Sequence, residues 1–104
     1  MKKYNIVITK DALEDIEDTF DYISEILFEP MYAKRIQKSL LLKIRSLETM
    51  PKRNAVIDTE PYKTRGVRIL LVENYKVFYI VDEEKEMIYI LNVLYKHRDW
   101  QNII

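Results

Sequence analysis

Six basic side chains lie at the two ends of the apolar segments in the last third of this chain. Three come before or just inside the first segment, and three follow the last one: Lys63, Arg65, Arg68, Lys96, His97 and Arg98. Cleavage of RNA by its own 2′-hydroxyl needs a base, a proton donor and fixed positive charge, and such side chains can supply all three. The two groups converge only if those segment ends are adjacent in one sheet. The alternative is that they form the ordinary basic rim of a sheet.

Aromatic residues near the same end of the chain are candidates for contact with a base or a partner. Tyr95 and Trp100 lie at and after the end of the last apolar segment, whereas Tyr79 and Tyr89 lie within segments and are expected in the core. Exposed aromatic rings commonly stack on nucleic-acid bases. For Trp100 the alternative is a lid on the core. The predicted binding residues are Lys63, Arg65, Tyr95, Lys96 and Trp100.

Other kinds of site have little support in the sequence. The chain contains no cysteine, one histidine and one glycine. A zinc site, a thiol nucleophile and a glycine-rich phosphate loop are therefore not expected. The acidic run at residues 82–86 lacks the spacing of a calcium-binding loop and is interpreted as a solvated turn. We predict no metal and no cofactor.

Length and composition are typical of one small domain. The 104 residues are 48% hydrophobic and 33% charged, which allows one core and a soluble surface. We assign residues 1–104 to a single domain. The N-terminal apolar run, residues 4–8, is too short for a signal peptide or a membrane span. We therefore expect a cytoplasmic protein that does not bind membranes.

The first half of the chain predicts a strand followed by a helical hairpin. Tyr4–Ile8 alternates as a strand does, and a helix then begins near Asp11, with Thr9 as a second candidate for the N-cap. Pro30 separates this helix from the next, which runs from about Met31 to Met50. Each helix has an apolar stripe at a spacing of three or four residues. The stripes are Ala12, Ile16, Phe20, Ile23 and Leu27, and Ala33, Ile36, Leu40, Ile44 and Leu47.

The second half predicts three antiparallel strands after a loop at residues 51–64. The strands are residues 66–72, 75–81 and 87–95, and Glu73-Asn74 forms a two-residue turn in which Asn can adopt a positive φ. The middle strand is apolar on both faces, which is typical of a strand covered on each side. The fold class is therefore α+β, in the order β-α-α-β-β-β, with an antiparallel sheet packed against an N-terminal helical hairpin.

Charge is segregated along a chain whose net charge is zero. Residues 1–29 contain eight acids and three bases, residues 30–68 contain three acids and ten bases, and residues 69–104 contain six acids and four bases. Such a distribution can give a neutral protein a basic surface. It can equally let an acidic helix lie against a basic one.

Together these residues resemble the RelE/ParE superfamily of toxins from type II toxin–antitoxin modules. The resemblance covers essentially the whole chain and is sharpest at residues 66–68, 72–79 and 93–95 and at Arg98-Asp99. It implies a growth-inhibiting toxin, with a role in plasmid stabilization, that is held inactive by a cognate antitoxin. We expect the antitoxin to pack on the sheet or in the groove between helices and sheet, and to contact the basic second helix.

The resemblance leaves two targets open. RelE-like members cut mRNA on the ribosome, and ParE-like members poison DNA gyrase. The spacing from Arg68 to Tyr75 is closer to the ParE-like pattern, and Leu71 stands where RelE-like nucleases have an arginine. This favours gyrase and no catalytic activity. The alternative is a ribosome-dependent mRNA endonuclease, for which His97, with Asp99 two residues on, suggests the catalytic set Arg68, His97 and Arg98.

Overall fold

The computed structural model describes residues 2–104, which form two layers, a helical hairpin and a four-stranded sheet. The first layer is α1 (Lys10–Asp21), its π-helical extension (Tyr22–Ile26) and α2 (Pro30–Arg45). The short helix α3 (Tyr62–Arg65) precedes the last three strands. The strands are β1 (Asn5–Ile8), β2 (Arg68–Val72), β3 (Tyr75–Asp82) and β4 (Met87–Tyr95). No helix among residues 2–104 is long and apolar enough to cross a membrane.

The strand order in the sheet is β1-β4-β3-β2. The predicted antiparallel pairing holds for β2, β3 and β4, whereas β1 lies parallel to β4, from Asn5 opposite Met87 to Ile8 opposite Ile90. The helical hairpin connects β1 to the rest of the sheet and returns the chain to β2 at the opposite edge. The α+β fold class is thus confirmed, with a parallel strand added at one edge.

The helices pack on one face of the sheet through their predicted stripes. Thr9, rather than Asp11, is the N-cap of α1; its hydroxyl accepts from the Ala12 amide at 3.3 Å and donates to the Ile90 carbonyl at 2.6 Å. In the stripe of α1, Ala12, Ile16 and Ile23 are buried and Phe20 is partly buried, but Leu27 is 48% exposed. The prediction that Leu27 belongs to the core is therefore wrong. The reason is that α1 changes to π-helical geometry at Tyr22–Ile26, which rotates the last turn away from the sheet.

The opposite face of the sheet has its own smaller core. Buried Tyr62, Val67, Phe78 and Leu94 form it. After β4 the chain returns across this face, where the Trp100 ring lies with its centroid 4.9 Å from that of Tyr62 and 5.3 Å from that of Phe78. The Tyr62 hydroxyl donates to the Gln101 carbonyl at 2.8 Å. The middle strand is therefore covered on both faces, and Trp100 is a lid on this second core.

Candidate functional site

A groove of about 660 Å³ opens where α1 and its extension diverge from the end of the sheet. Its wall and floor are apolar and aromatic, formed by Tyr22, Ile23, Tyr32, Tyr75, Val93 and Tyr95. Asp15, Asp18 and Arg98 are the charged residues among those that line it. We call this cavity the groove. Its size and mixed lining are typical of a site that binds a ligand or a peptide segment.

The groove exists because β1 is shorter than β4. β1 pairs only with Met87–Ile90, so β4 continues to Tyr95 without a neighbour on that side. The Asp15 carboxylate on α1 partly replaces the missing strand and accepts from the Val93 amide and the Asn92 side chain, both at 2.9 Å. The space beyond Asp15 remains open.

Two tyrosines from neighbouring strands meet on the floor of the groove. The rings of Tyr75 and Tyr95 lie edge to face with centroids 5.8 Å apart. Burial raises the pKa of Tyr75 above its usual value, and the nearby Tyr32 and Tyr95 raise it further. The Tyr75 phenol therefore stays neutral at physiological pH and can donate or accept a hydrogen bond.

Three basic residues, Lys96, His97 and Arg98, follow Tyr95 at the end of β4. Tyr95, Lys96, His97 and Arg98 are all exposed. The Tyr95 and His97 rings have centroids 5.5 Å apart, and Arg98 lines the groove itself. The Arg98 amide donates to the Tyr95 carbonyl at 2.9 Å, which forms a tight turn after the strand. These side chains are free to contact a partner.

The basic residues that precede β2 are engaged in holding the fold. The Arg68 guanidinium donates to the carbonyls of Lys52 and Asn54, in the loop before α3. The Arg65 guanidinium donates to the Ile104 carbonyl, and Lys63 forms an ion pair with Asp58 at 3.3 Å.

The structure does not bring the two basic groups together. Arg68 pairs with Tyr79 and Tyr95 pairs with Tyr75, so their positions differ by four residues along β3. That is roughly 13 Å along the strand, and His97 and Arg98 lie beyond Tyr95. β2 and β4 run in the same direction, which places the start of one and the end of the other at opposite ends of the sheet. The adjacency that convergence required is absent from this fold.

Leu71 lies on the sheet face away from the helices. It is 65% exposed and stands opposite Lys76 on β3. The turn that follows differs from the prediction, because Glu73 rather than Asn74 has the positive φ, at 52°. The Glu73 carboxylate accepts two hydrogen bonds from Arg35 on α2, at 3.0 and 3.1 Å, and this contact fixes the turn against the helix.

The two helices differ in how far ion pairs among residues 2–104 neutralise their charge. Arg35 and Arg45 of α2 pair with Glu73 and Glu48. By contrast, none of the eight carboxylates between residues 11 and 29 forms an ion pair with any residue in the described range, 2–104. The helices therefore contact each other through apolar side chains, and the acidic face of α1 is left available. In the same range no cluster of three metal-ligating side chains occurs.

The sequence analysis missed an exposed apolar surface at the apex of the hairpin. Ile26, Phe28 and Met31 are 62%, 83% and 77% exposed, and Phe28 has a positive φ of 54°. We call these three residues the apex patch; it adjoins the groove through Leu27 and Tyr32. Apolar residues in such numbers at one turn commonly mark an interaction site. The sequence signal was the apolar run on either side of Glu29-Pro30.

Replacing Arg35 by alanine is expected to raise the pKa of Glu73. The Arg35 guanidinium holds that pKa below its usual range in the folded protein, mainly by hydrogen bonding. A lowered folded-state pKa stabilises the fold above the unfolded-state pKa, and that contribution is lost as pH falls through the folded-state value. The pair is exposed, so the effect on stability is small. An NMR titration of the Glu73 carboxyl tests this, with Lys34→Ala as the control; an unmoved titration would contradict it.

Solved structures with this fold are toxins from toxin–antitoxin systems. The chromosomal ParDE system of P. aeruginosa contains a chain with 21% identity and a TM-score of 0.72, covering 89% of this chain and 96% of that one. A chain of the RelBE2 complex of Mycobacterium tuberculosis has 20% identity and a TM-score of 0.70, covering 94% of this chain and 97% of that one. A mutant of the E. coli toxin RelE in the free state has 16% identity and a TM-score of 0.60, covering 91% of this chain and 85% of that one. No curated protein sequence matches the chain significantly.

The architecture is therefore that of the RelE/ParE superfamily. Residues 6–100 match the family described as the ParE toxin of the type II toxin–antitoxin system parDE. The chain belongs to this ParE toxin family and is the toxin of a type II toxin–antitoxin system.

Proposed function

We propose that this toxin arrests growth by binding DNA gyrase, without catalysing a reaction itself. The observation that carries the proposal is the position of Arg68, which is held by loop carbonyls at the opposite end of the sheet from His97 and Arg98. A ribonuclease needs its cationic groups around one phosphate. The match to the ParE family supports the same branch, because ParE-like members of the superfamily poison gyrase.

The surface proposed for contact with the target is the exposed segment at the end of β4, residues 95–98. Tyr95 and Lys96 are exposed there and have no competing role in the core. The other three predicted binding residues are less available: Trp100 covers the second core, Arg65 binds the Ile104 carbonyl and Lys63 pairs with Asp58. We therefore assign the target contact mainly to Tyr95 and Lys96.

Purified toxin is expected to inhibit supercoiling of relaxed plasmid by gyrase and to cause cleaved DNA to accumulate. Inhibition should rise with toxin concentration, and addition of the antitoxin encoded beside the toxin should reverse it. Tyr95→Ala together with Lys96→Ala should weaken inhibition, whereas Lys85→Ala, at the far end of β4, is the matched control. Normal supercoiling at excess toxin would overturn the proposal.

A ribosome-dependent mRNA endonuclease is the second candidate, and the exposed cluster around His97 favours it. The His97 ring lies with its centroid 5.5 Å from that of Tyr95, and Tyr95 and Arg98 both line the groove, so a general base and a cation could act together there. In that case Arg98 would replace Arg68 as the group that stabilises charge. Primer extension on message from induced cells distinguishes the candidates, because cuts within codons support the endonuclease and intact message during growth arrest excludes it.

The antitoxin is proposed to cover the groove and the apex patch. Both are exposed and apolar, and they adjoin each other through Leu27 and Tyr32. Lys34, Lys38 and Lys43 on α2 form no ion pair with any residue from 2 to 104, and they provide the contact with acidic antitoxin side chains. A specific interface of this kind buries about 1,200–2,000 Å² in total.

A further inference from the structure

We propose that the groove takes an extended segment of the partner chain, which adds as a parallel strand to the free edge of β4 and places a lysine or arginine beside Asp18. The inference rests on the proposed function insofar as that partner is the antitoxin. The family resemblance leaves open the direction and the charge of such a segment.

The free edge is defined by the hydrogen bonds of the last strand. The Lys96 amide donates to the Asn74 carbonyl at 2.7 Å, so Leu94, two residues earlier, directs its backbone groups at β3. Val93 and Tyr95 therefore direct theirs away from β3, toward the side where β1 has already ended. An uncovered strand edge of this kind readily accepts another strand.

Two of the four backbone groups at this edge are already bonded within the protein. The Val93 amide donates to Asp15 at 2.9 Å, and the Tyr95 carbonyl accepts from the Arg98 amide at 2.9 Å. The Val93 carbonyl and the Tyr95 amide remain, and the described residues offer neither a partner. The edge is therefore open at two points only.

These two groups favour a parallel direction for the incoming segment. In a parallel pair, a residue of the added strand that faces residue i donates its amide to the carbonyl of residue i−1 and accepts from the amide of residue i+1. With Leu94 as residue i, these two groups are the Val93 carbonyl and the Tyr95 amide. An antiparallel segment would need two of its own residues for these two bonds and would leave the other backbone group of each unbonded, because the Val93 amide and the Tyr95 carbonyl are occupied. β1 already lies parallel to β4, so the added segment would continue that edge.

Charge selects the side chain that the segment presents. Asp15 and Asp18 line the groove against a single basic residue, Arg98, and the carboxylates of α1 have no internal ion pairs among residues 2–104. Asp15 is already bonded to the backbone, so Asp18 is the available carboxylate. The rings of Tyr22, Tyr75 and Tyr95 stand nearby and favour a cation through their faces. An acidic side chain in the same place would be repelled.

Two short peptides test the site independently of toxicity. Acetyl-Thr-Val-Lys-Val-Thr-amide is expected to shift the Tyr95 amide signal in a proton–nitrogen NMR spectrum, whereas the same peptide with glutamate in place of lysine is not. Asp18→Asn should weaken binding of the lysine peptide roughly fivefold, and Glu17→Gln, which removes the same charge outside the groove, less than about twofold. An unshifted Tyr95 amide, or equal binding of both peptides, would overturn the inference.

The complex with the antitoxin provides the second measurement. Hydrogen exchange at the Tyr95 amide is expected to slow at least about tenfold when the antitoxin encoded beside the toxin is bound. Exchange as fast as in free toxin would overturn the inference while leaving the toxin assignment intact. Conversely, binding of the lysine peptide by a protein that does not inhibit gyrase would reject the proposed target and support the groove.

Discussion

Trp100→Ala is expected to lower the free energy of unfolding by about 3 kcal/mol, because it opens the second core to water. The ring packs on Phe78 and Tyr62, which are 0% and 6% exposed. A loss of this size is a large fraction of the stability of a small domain. Growth inhibition should fall with it.

Urea unfolding followed by circular dichroism measures the effect of Trp100→Ala. The matched control is Ile103→Ala, since Ile103 is in the same terminal segment but 39% exposed. The control should stay within about 0.5 kcal/mol of the wild type. If Trp100→Ala unfolds like the control but abolishes inhibition of gyrase, the ring contacts the target and is not chiefly a lid.

Arg68→Ala is expected to reduce stability by about 2 kcal/mol, because the carbonyls of Lys52 and Asn54 lose a charged donor. The same loop is held by Tyr79, whose hydroxyl donates to the Pro51 carbonyl at 2.7 Å and accepts from the Asn54 side chain at 3.1 Å. Tyr79→Phe should cost about 1 kcal/mol. Because both residues bind Asn54, the double variant should deviate from additivity.

Toxicity separates the structural role of Arg68 from a catalytic one. If the role of Arg68 is structural, the Arg68→Ala variant should regain its ability to inhibit growth when the temperature is lowered enough to restore folding. His97→Ala should leave inhibition within about twofold of the wild type, as is usual for an exposed side chain without a bonded partner. With a catalytic role, both variants would stay folded and lose activity by about 10²–10⁴. That outcome would reject the gyrase proposal.

The sequence by itself determined the elements and their class. The stripes of α1 and α2 recur at helical spacing and Pro30 separates them, so both helices and their hairpin could be predicted. The predicted end of the second helix near Met50 was wrong, because α2 ends at Arg45 and a 3-10 turn follows at Ser46–Glu48. The strands followed from alternating apolar residues and from the short turn at Glu73-Asn74. These signals are local, since each depends on residues that are close in sequence. The resemblance to the RelE/ParE superfamily rested on the same segments, and the family match confirmed it.

The two groups of basic side chains that first suggested a nuclease could be identified in the sequence, but their positions relative to each other could not be predicted from it. Whether Arg68 meets His97 depends on which strand ends are neighbours, and that is set by contacts between residues far apart in the chain. The exposure of Leu27 could not be predicted from the sequence either, because the spacing of apolar residues does not indicate where the helix changes to π-helical geometry.

Only the tertiary structure decided which strand edge and which charged side chains are left open. The sequence specified β1 and β4, but their parallel pairing over four residues is what leaves Val93 and Tyr95 at an open edge. Likewise, the acidic composition of α1 was visible at once, whereas the absence of ion pairs on that helix required the position of every described cation. Strand partners and ion pairs join residues that are distant in sequence, so local pattern constrains them weakly.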